Sequence, residues 1–211
     1  MNQPSHHIPE ELIQAYVCGM LPHAYSVVVA AHISVCDECR TRMETLEAVG
    51  GAAVDTLAPI ALSDSFKDRV MGLLDAEMPV MEKPKPKGIF PGPIMAELDG
   101  SPPRWRSLGG GIRQQVLNEG EDGTLRLIYI PSGMAVPEHS HRGMELTMVL
   151  QGSYNDVEGE FKAGDVEVAA EVTNHTPIAG PGEPCICVTA TDAPLRFSAW
   201  LPRLLQPVFR I

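Results

Sequence analysis

Gly133-Met-Ala-Val-Pro-Glu-His139-Ser-His141-Arg-Gly-Met-Glu145-Leu-Thr-Met-Val-Leu-Gln-Gly152 is the stretch on which the fold turns. Side chains alternate across an extended strand, so two histidines at i and i+2 project to the same side. Glu145 then opens the apolar run Leu146-Thr-Met-Val-Leu150 and brings a carboxylate from the next strand. Two imidazoles and a carboxylate so arranged make a facial set for a divalent transition ion. The plainer reading is a pair of surface histidines beside a turn.

Outward from this stretch the chain reads as strand. Thr124-Leu-Arg-Leu-Ile-Tyr-Ile130, Glu145 to Leu150, Asp165-Val-Glu-Val168, Cys185-Ile-Cys-Val-Thr189 and Leu195-Arg-Phe-Ser-Ala-Trp200 are short, mostly alternating runs, and Gly, Pro, Asn or Asp punctuates them. Short strands at such spacing predict a sandwich or barrel. Cys185 and Cys187, at i and i+2, share one face of their strand. They are either buried core cysteines or targets for an oxidant.

Upstream, Pro79 to Pro93 holds five prolines in fifteen positions. Proline at that density blocks helix and ladder hydrogen bonds and favours an extended connector. The composition changes across it: residues 1–82 carry twelve acidic and four basic side chains, residues 83–211 fifteen and twelve. We read a multi-domain α plus β protein: a helical module over 1–82, a Pro-rich linker over 83–103 and an all-β module over 104–211.

The helical module contains four predicted helices. The first follows Pro9 and stops at Gly19. The second runs from Pro22 through Ala31 and the third from Asp37 to about Val54. The fourth runs from Ser63 or Ser65 to Glu77, with Phe66, Val70, Leu73, Leu74 and Met78 on one face. That stripe either closes the module's own core or anchors a partner in a groove. So few residues make a small core, so a staple or a partner is expected. His32-Ile-Ser-Val-Cys36-Asp-Glu-Cys39 supplies one, since H-x3-C-x2-C offers three corners of a tetrahedron suited to Zn²⁺. His7, His6 or Cys18 could complete it; the alternative is a pair of core cysteines with a satisfied histidine.

The whole chain has 211 residues, 44% of them apolar, and a formal net charge of −11. The acidity excludes a binder of nucleic acid or of anionic membranes, which needs basic surface. An odd cysteine count of five, with no secretory pattern at Met1 and no long apolar run, predicts a soluble protein of the reducing cytoplasm.

Two resemblances follow from these residues. Gly133 to Gly152 is similar to the first cupin motif, G-x5-H-x-H-x3-E-x6-G, and Phe161-Lys-Ala-Gly164-Asp165 to the second, with Lys162 where that motif has proline. A cupin jelly roll implies His139, His141 and Glu145 as metal ligands, with His175 as the remaining histidine. The acidic helical part resembles the zinc-binding anti-sigma domain, which implies His32, Cys36 and Cys39 as zinc ligands with His7 or its neighbour His6. Together they resemble the ChrR anti-sigma factors over essentially the whole chain. That likeness includes Val49-Gly-Gly51, Trp105-Arg-Ser-Leu-Gly-Gly-Gly111, Ala190-Thr-Asp-Ala-Pro-Leu-Arg-Phe197 and Gln206-Pro-Val-Phe-Arg-Ile211.

The resemblance implies a one-to-one complex with an extracytoplasmic-function, sigma-E-like sigma factor. The helical half withholds the sigma factor from RNA polymerase, and the cupin half is needed for its release under singlet oxygen or related oxidants. It implies zinc in the helical half and zinc or another divalent transition metal in the cupin. Sensing could instead lie in oxidation of thiolates at Cys36 and Cys39. The alternative from another class is a metal-dependent cupin enzyme such as a dioxygenase, with the helices as a docking piece and Glu138, Tyr129 or Arg142 supplying acid–base or orienting groups.

Overall fold

A computed structural model describes residues 3–74, 84–140, 143–169, 175–193 and 196–197. Five helices precede the strands: α1 (Glu10–Val17), α2 (His23–Ile33), α3 (Asp37–Asp55), α4 (Asp64–Leu74) and α5 (Gly92–Glu97). Pro9 and Pro22 take the N-cap positions of α1 and α2. Glu10 and Glu11 lie in the first turn of α1, where they complement the helix dipole. Helix α2 is buried on nearly every side, through Ala24, Tyr25, Val27, Val28, Val29, Ala31, His32 and Ile33. Its uniformly apolar sequence therefore marks a central element, with no single hydrophobic stripe.

The strands are β1 (Arg106–Gly109), β2 (Ile112–Gly120), β3 (Gly123–Ile130), β4 (His139–Ser140), β5 (Glu145–Gln151), β6 (Ser153–Asp156), β7 (Gly159–Lys162), β8 (Val166–Ala169), β9 (Ile178–Ala179), β10 (Cys185–Thr191) and β11 (Arg196–Phe197). They form a six-stranded sheet in the order β1-β2-β3-β10-β5-β8, a three-stranded sheet β7-β6-β9 and a pair β11-β4. Gly152 joins β5 to β6 at φ +70, and a Cβ there would stand 2.7 Å from the Pro184 carbonyl oxygen. Only glycine makes that turn without displacing backbone. Strand β2 was not expected, because Arg113, Gln114, Gln115, Asn118 and Glu119 mask its alternation; Gln114 is nevertheless buried.

Strand alternation gives the large sheet two faces and two cores. Ile130 of β3, Val149 of β5, and Cys185 and Cys187 of β10 meet Tyr154, Phe161 and Ala179 of the smaller sheet. Leu125, Leu127, Leu146, Met148, Leu150, Val166, Ile186, Val188 and Ala190 point the other way and share one core with the helices. Helix α2 lies across β3, β5 and β10. The helical segment thus buries its apolar surface against the outer face of the sheet.

Part of the stretch read as linker belongs to this core. Pro93 sits in the first turn of α5, where its fixed φ suits a helix start. Ile94, Met95 and Leu98 are buried beside α2, and His23 pairs with Glu97 at 2.9 Å. Helix α4 behaves oppositely: it buries none of its residues. Met78, expected on its apolar face, lies outside the described residues.

Candidate metal centres

The first site forms where α2 ends, α3 begins and the segment before α1 returns. His32 sits in the last turn of α2, four residues before Cys36. Cys36 is the N-cap of α3, with its Sγ accepting from the Cys39 backbone N–H at 3.5 Å, so the second thiol follows one turn later. His7 arrives just ahead of α1. His7 Nδ1 lies 3.3 Å from Cys36 Sγ and 3.7 Å from Cys39 Sγ, and His32 Nε2 lies 3.3 Å from Cys39 Sγ. All four ligand atoms fall within 4.8 Å of one another. Sulfur and nitrogen at tetrahedral corners around one zinc ion stand about 3.5 Å apart, from bond lengths of about 2.3 and 2.0 Å. The donor set and its spacing fit that ion.

The structure separates the three residues that could have completed this site. His7 joins the cluster. His6 turns to the cupin half, its ring tilted by 42° against Phe161 at 4.4 Å between centroids and approaching Asp165 at 3.3 Å. Cys18 is exposed. Electrostatics within the cluster follow from burial. Burial lowers His32 to about 4, against the opposing hydrogen bond to Gly164, so its imidazole is neutral and can offer a lone pair. Burial also pushes the Cys39 thiol up to about 11, so an incoming metal must displace its proton.

The second site lies at the mouth of the jelly roll. His139 on β4 bridges His175 through both backbone hydrogen bonds, at 3.1 and 3.0 Å. Their Nε2 atoms stand 3.0 Å apart. Nitrogens about 2.1 Å from one ion and at right angles around it would be about 3.0 Å apart. Each outer nitrogen is engaged: His139 Nδ1 meets the Pro137 carbonyl at 2.8 Å, and His175 Nδ1 meets the buried Asp156 carboxylate. Glu145 heads β5 and its Oε1 accepts from Thr147 Oγ1 at 2.9 Å. His141 lies outside the described residues.

Sequence reading missed two acids here. Asp156 and Glu167 gather with His175 within 4.8 Å. Burial pushes Glu167 up to about 7, and it accepts the Tyr154 hydroxyl at 2.5 Å. Glu167 sits in the alternating run Asp165-Val-Glu-Val168, where an acid between two valines on an inward-facing position was the available signal.

The comparisons with known proteins agree with both halves. Residues 97–194 match the family described as the ChrR cupin-like domain. The anti-sigma-E factor ChrR of Cereibacter sphaeroides is 47% identical over 214 residues, which span 98% of each chain. This chain belongs to the ChrR family of anti-sigma factors. A crystal structure of Rhodobacter sphaeroides SigE in complex with the anti-sigma ChrR superposes with a TM-score of 0.81 at 44% identity, covering 90% of this chain and 100% of that one.

Other residues singled out by sequence fall into two groups. Cys185 and Cys187 are both buried in the sheet interior with their sulfurs 3.4 Å apart, and their mutual hydrogen bond followed by burial keeps the Cys187 thiol protonated. Phe66, Val70, Leu73 and Leu74 lie exposed on α4. The groups expected to serve an enzyme are placed elsewhere. Tyr129 is on the outer sheet face, edge-on to Trp105 with the Arg113 guanidinium 4.8 Å from its ring, and Glu138 is exposed. Arg142 lies outside the described residues. No helix among the described residues is long and apolar enough to cross a membrane.

Proposed function

We propose that this chain holds an extracytoplasmic-function, sigma-E-like sigma factor in a one-to-one complex in the cytoplasm and releases it under oxidative stress. The observation that carries this is the exposed apolar surface of the helical half. Phe66, Val70, Met71, Leu73 and Leu74 of α4 continue a run of exposed Val54, Leu57, Ile60 and Leu62. A soluble chain leaves so long an apolar surface uncovered where a partner covers it. The same module carries a net charge of −8 of the chain's −11, which suits a partner whose own surfaces are basic for DNA. The family and the likeness to ChrR in its SigE complex support the same reading.

Within it, His7, His32, Cys36 and Cys39 hold zinc, which staples the helical half as a structural ion. His139, His141, Glu145 and His175 hold zinc or another divalent transition metal in the cupin half, which is the sensor of singlet oxygen or related oxidants, with Cys185 and Cys187 as further oxidisable groups. Residues 1–82 and 104–211 are assigned as sigma-binding domain and cupin domain, with 83–103 as the linker between them, whose helix α5 docks on α2.

Co-expression with the sigma factor encoded beside it, followed by gel filtration and metal analysis, tests the reading. An equimolar complex containing zinc, lost when Cys36 and Cys39 become serine, is the expected result. A chain that elutes alone while folded and metallated would remove the assignment for that sigma factor.

A further inference from the structure

One outer partner of the helical half's metal cluster comes from the cupin half, whereas the outer nitrogen of His7 meets Glu38 of α3 at 3.1 Å. His32 Nδ1 donates to the Gly164 carbonyl oxygen at 2.9 Å, across 132 residues of sequence. That bond sets the tautomer: with the proton on Nδ1, the lone pair of Nε2 faces Cys39 Sγ. One residue on, the Asp165 carboxylate gathers the segment that delivers His7. It accepts from the backbone N–H groups of Ser5 at 2.6 Å and His6 at 3.0 Å, from Ser5 Oγ at 3.2 Å, and from the Lys162 N–H within its own turn at 2.8 Å. Val166 N–H donates in turn to the His6 carbonyl at 3.3 Å. The packing is as tight as the bonding. Gly164 stands at φ +99, and a Cβ there would come within 3.0 Å of Pro4 Cγ.

We infer that the β7–β8 turn, Gly164 and Asp165, is a positioning element for the His7/His32/Cys36/Cys39 metal site, so that loading of this site and docking of the cupin half are linked. The inference rests on the assignment of those four residues as metal ligands. Cys36 and Cys39 come from the helical half alone, and so does Glu38 behind His7, but the tautomer of His32 and the path of the segment that delivers His7 depend on this turn. A histidine ligand is oriented by the partner of its other nitrogen, and loss of such partners weakens metal binding about 10- to 100-fold. Linkage is reciprocal: if the docked turn favours the metal, the bound metal favours the docked turn by the same factor.

The test uses the full chain with Co²⁺ as probe. Cobalt bound to thiolate gives a charge-transfer band that a site of histidine and carboxylate cannot give, and Cys36→Ser identifies the band with this cluster. Asp165→Ala, shown to be folded by circular dichroism, should bind Co²⁺ at the thiolate site about 10- to 100-fold more weakly. Leu125→Ala, fully buried on β3, which β10 and β5 separate from β8, should lower stability and leave that affinity unchanged, which separates positioning from general destabilisation. Wild-type protein needs no substitution for the reciprocal measurement: removing the metal should speed hydrogen exchange at the Ser5, His6 and Val166 amides. Unchanged affinity in folded Asp165→Ala, or exchange at those amides indifferent to metal, would overturn the inference. Should Asp165→Ala fail to fold, the exchange result decides alone. A wild-type chain with no thiolate band would overturn the ligand assignment itself, a result distinct from either.

Discussion

At the scale of single residues, each described histidine of the two sites has an outer group behind it: Glu38 behind His7, Gly164 behind His32, Pro137 behind His139 and Asp156 behind His175. Asp156, on β6, holds His175 by Nδ1 and leaves Nε2 facing that of His139. Asp156→Asn removes the charge and one acceptor from that contact. The expected result is a zinc affinity of the cupin half about 10- to 100-fold weaker, measured by competition with a chelator, with the zinc of the helical half retained. Tyr25 tests a different link. The side chain is buried on α2, and its hydroxyl donates at 2.6 Å to the carbonyl of Met144, beside Glu145. Tyr25→Phe leaves a buried carbonyl short of a donor and should cost about 1–3 kcal/mol in denaturant unfolding.

At the scale of elements, α2 and α4 have opposite fates that their sequences only half announce. His23 to Ile33 is apolar around its whole circumference, which requires burial on all sides, and α2 is buried on nearly all of them. Asp64 to Leu74 is amphipathic, a pattern compatible with closing a small core or with waiting for a partner. Phe66, Val70, Leu73 and Leu74 are exposed, so α4 packs no apolar face against the other described residues. Replacing Phe66 and Val70 by alanine should therefore leave chain stability within about 0.5 kcal/mol, as for other exposed positions. The same pair should weaken the sigma-factor complex by about 2 kcal/mol or more, roughly 30-fold, read by titration calorimetry. A large fall in chain stability with unaltered binding would show that α4 serves the chain's own core.

At the scale of the whole molecule, one core runs from Ile8 and Ile13 through α2 to Leu127, Leu146 and Val188. Because the helices and the outer sheet face share it, the two halves should melt in a single transition, followed in parallel by far-ultraviolet circular dichroism for helix and by near-ultraviolet signals for aromatic side chains such as Trp105, which packs on Tyr129 of β3. Two separated transitions would show independently stable halves. Much of this architecture was legible in local pattern. Prolines Pro9 and Pro22 opened helices, alternation around Leu127 and Met148 gave strands, and H-x3-C-x2-C together with H-x-H-x3-E marked both candidate metal centres, because candidate ligands from one short segment are spaced by the element that carries them. What lay beyond local pattern came from segments distant in sequence. His7 rather than His6 joins Cys36 because Asp165 and Phe161 hold His6 aside. Asp156 and Glu167 reach His175 only through the pairing of sheets. The Pro-rich stretch ends in a docked helix because Ile94 and Leu98 find α2. By itself the sequence determined the candidate ligands within each short motif and the helices and strands with clear periodicity, since propensity and periodicity act over a few neighbours. Only the tertiary structure decided which face of the sheet the helices cover and which histidine meets the thiols, because those choices depend on burial and hydrogen bonds between residues more than a hundred positions apart.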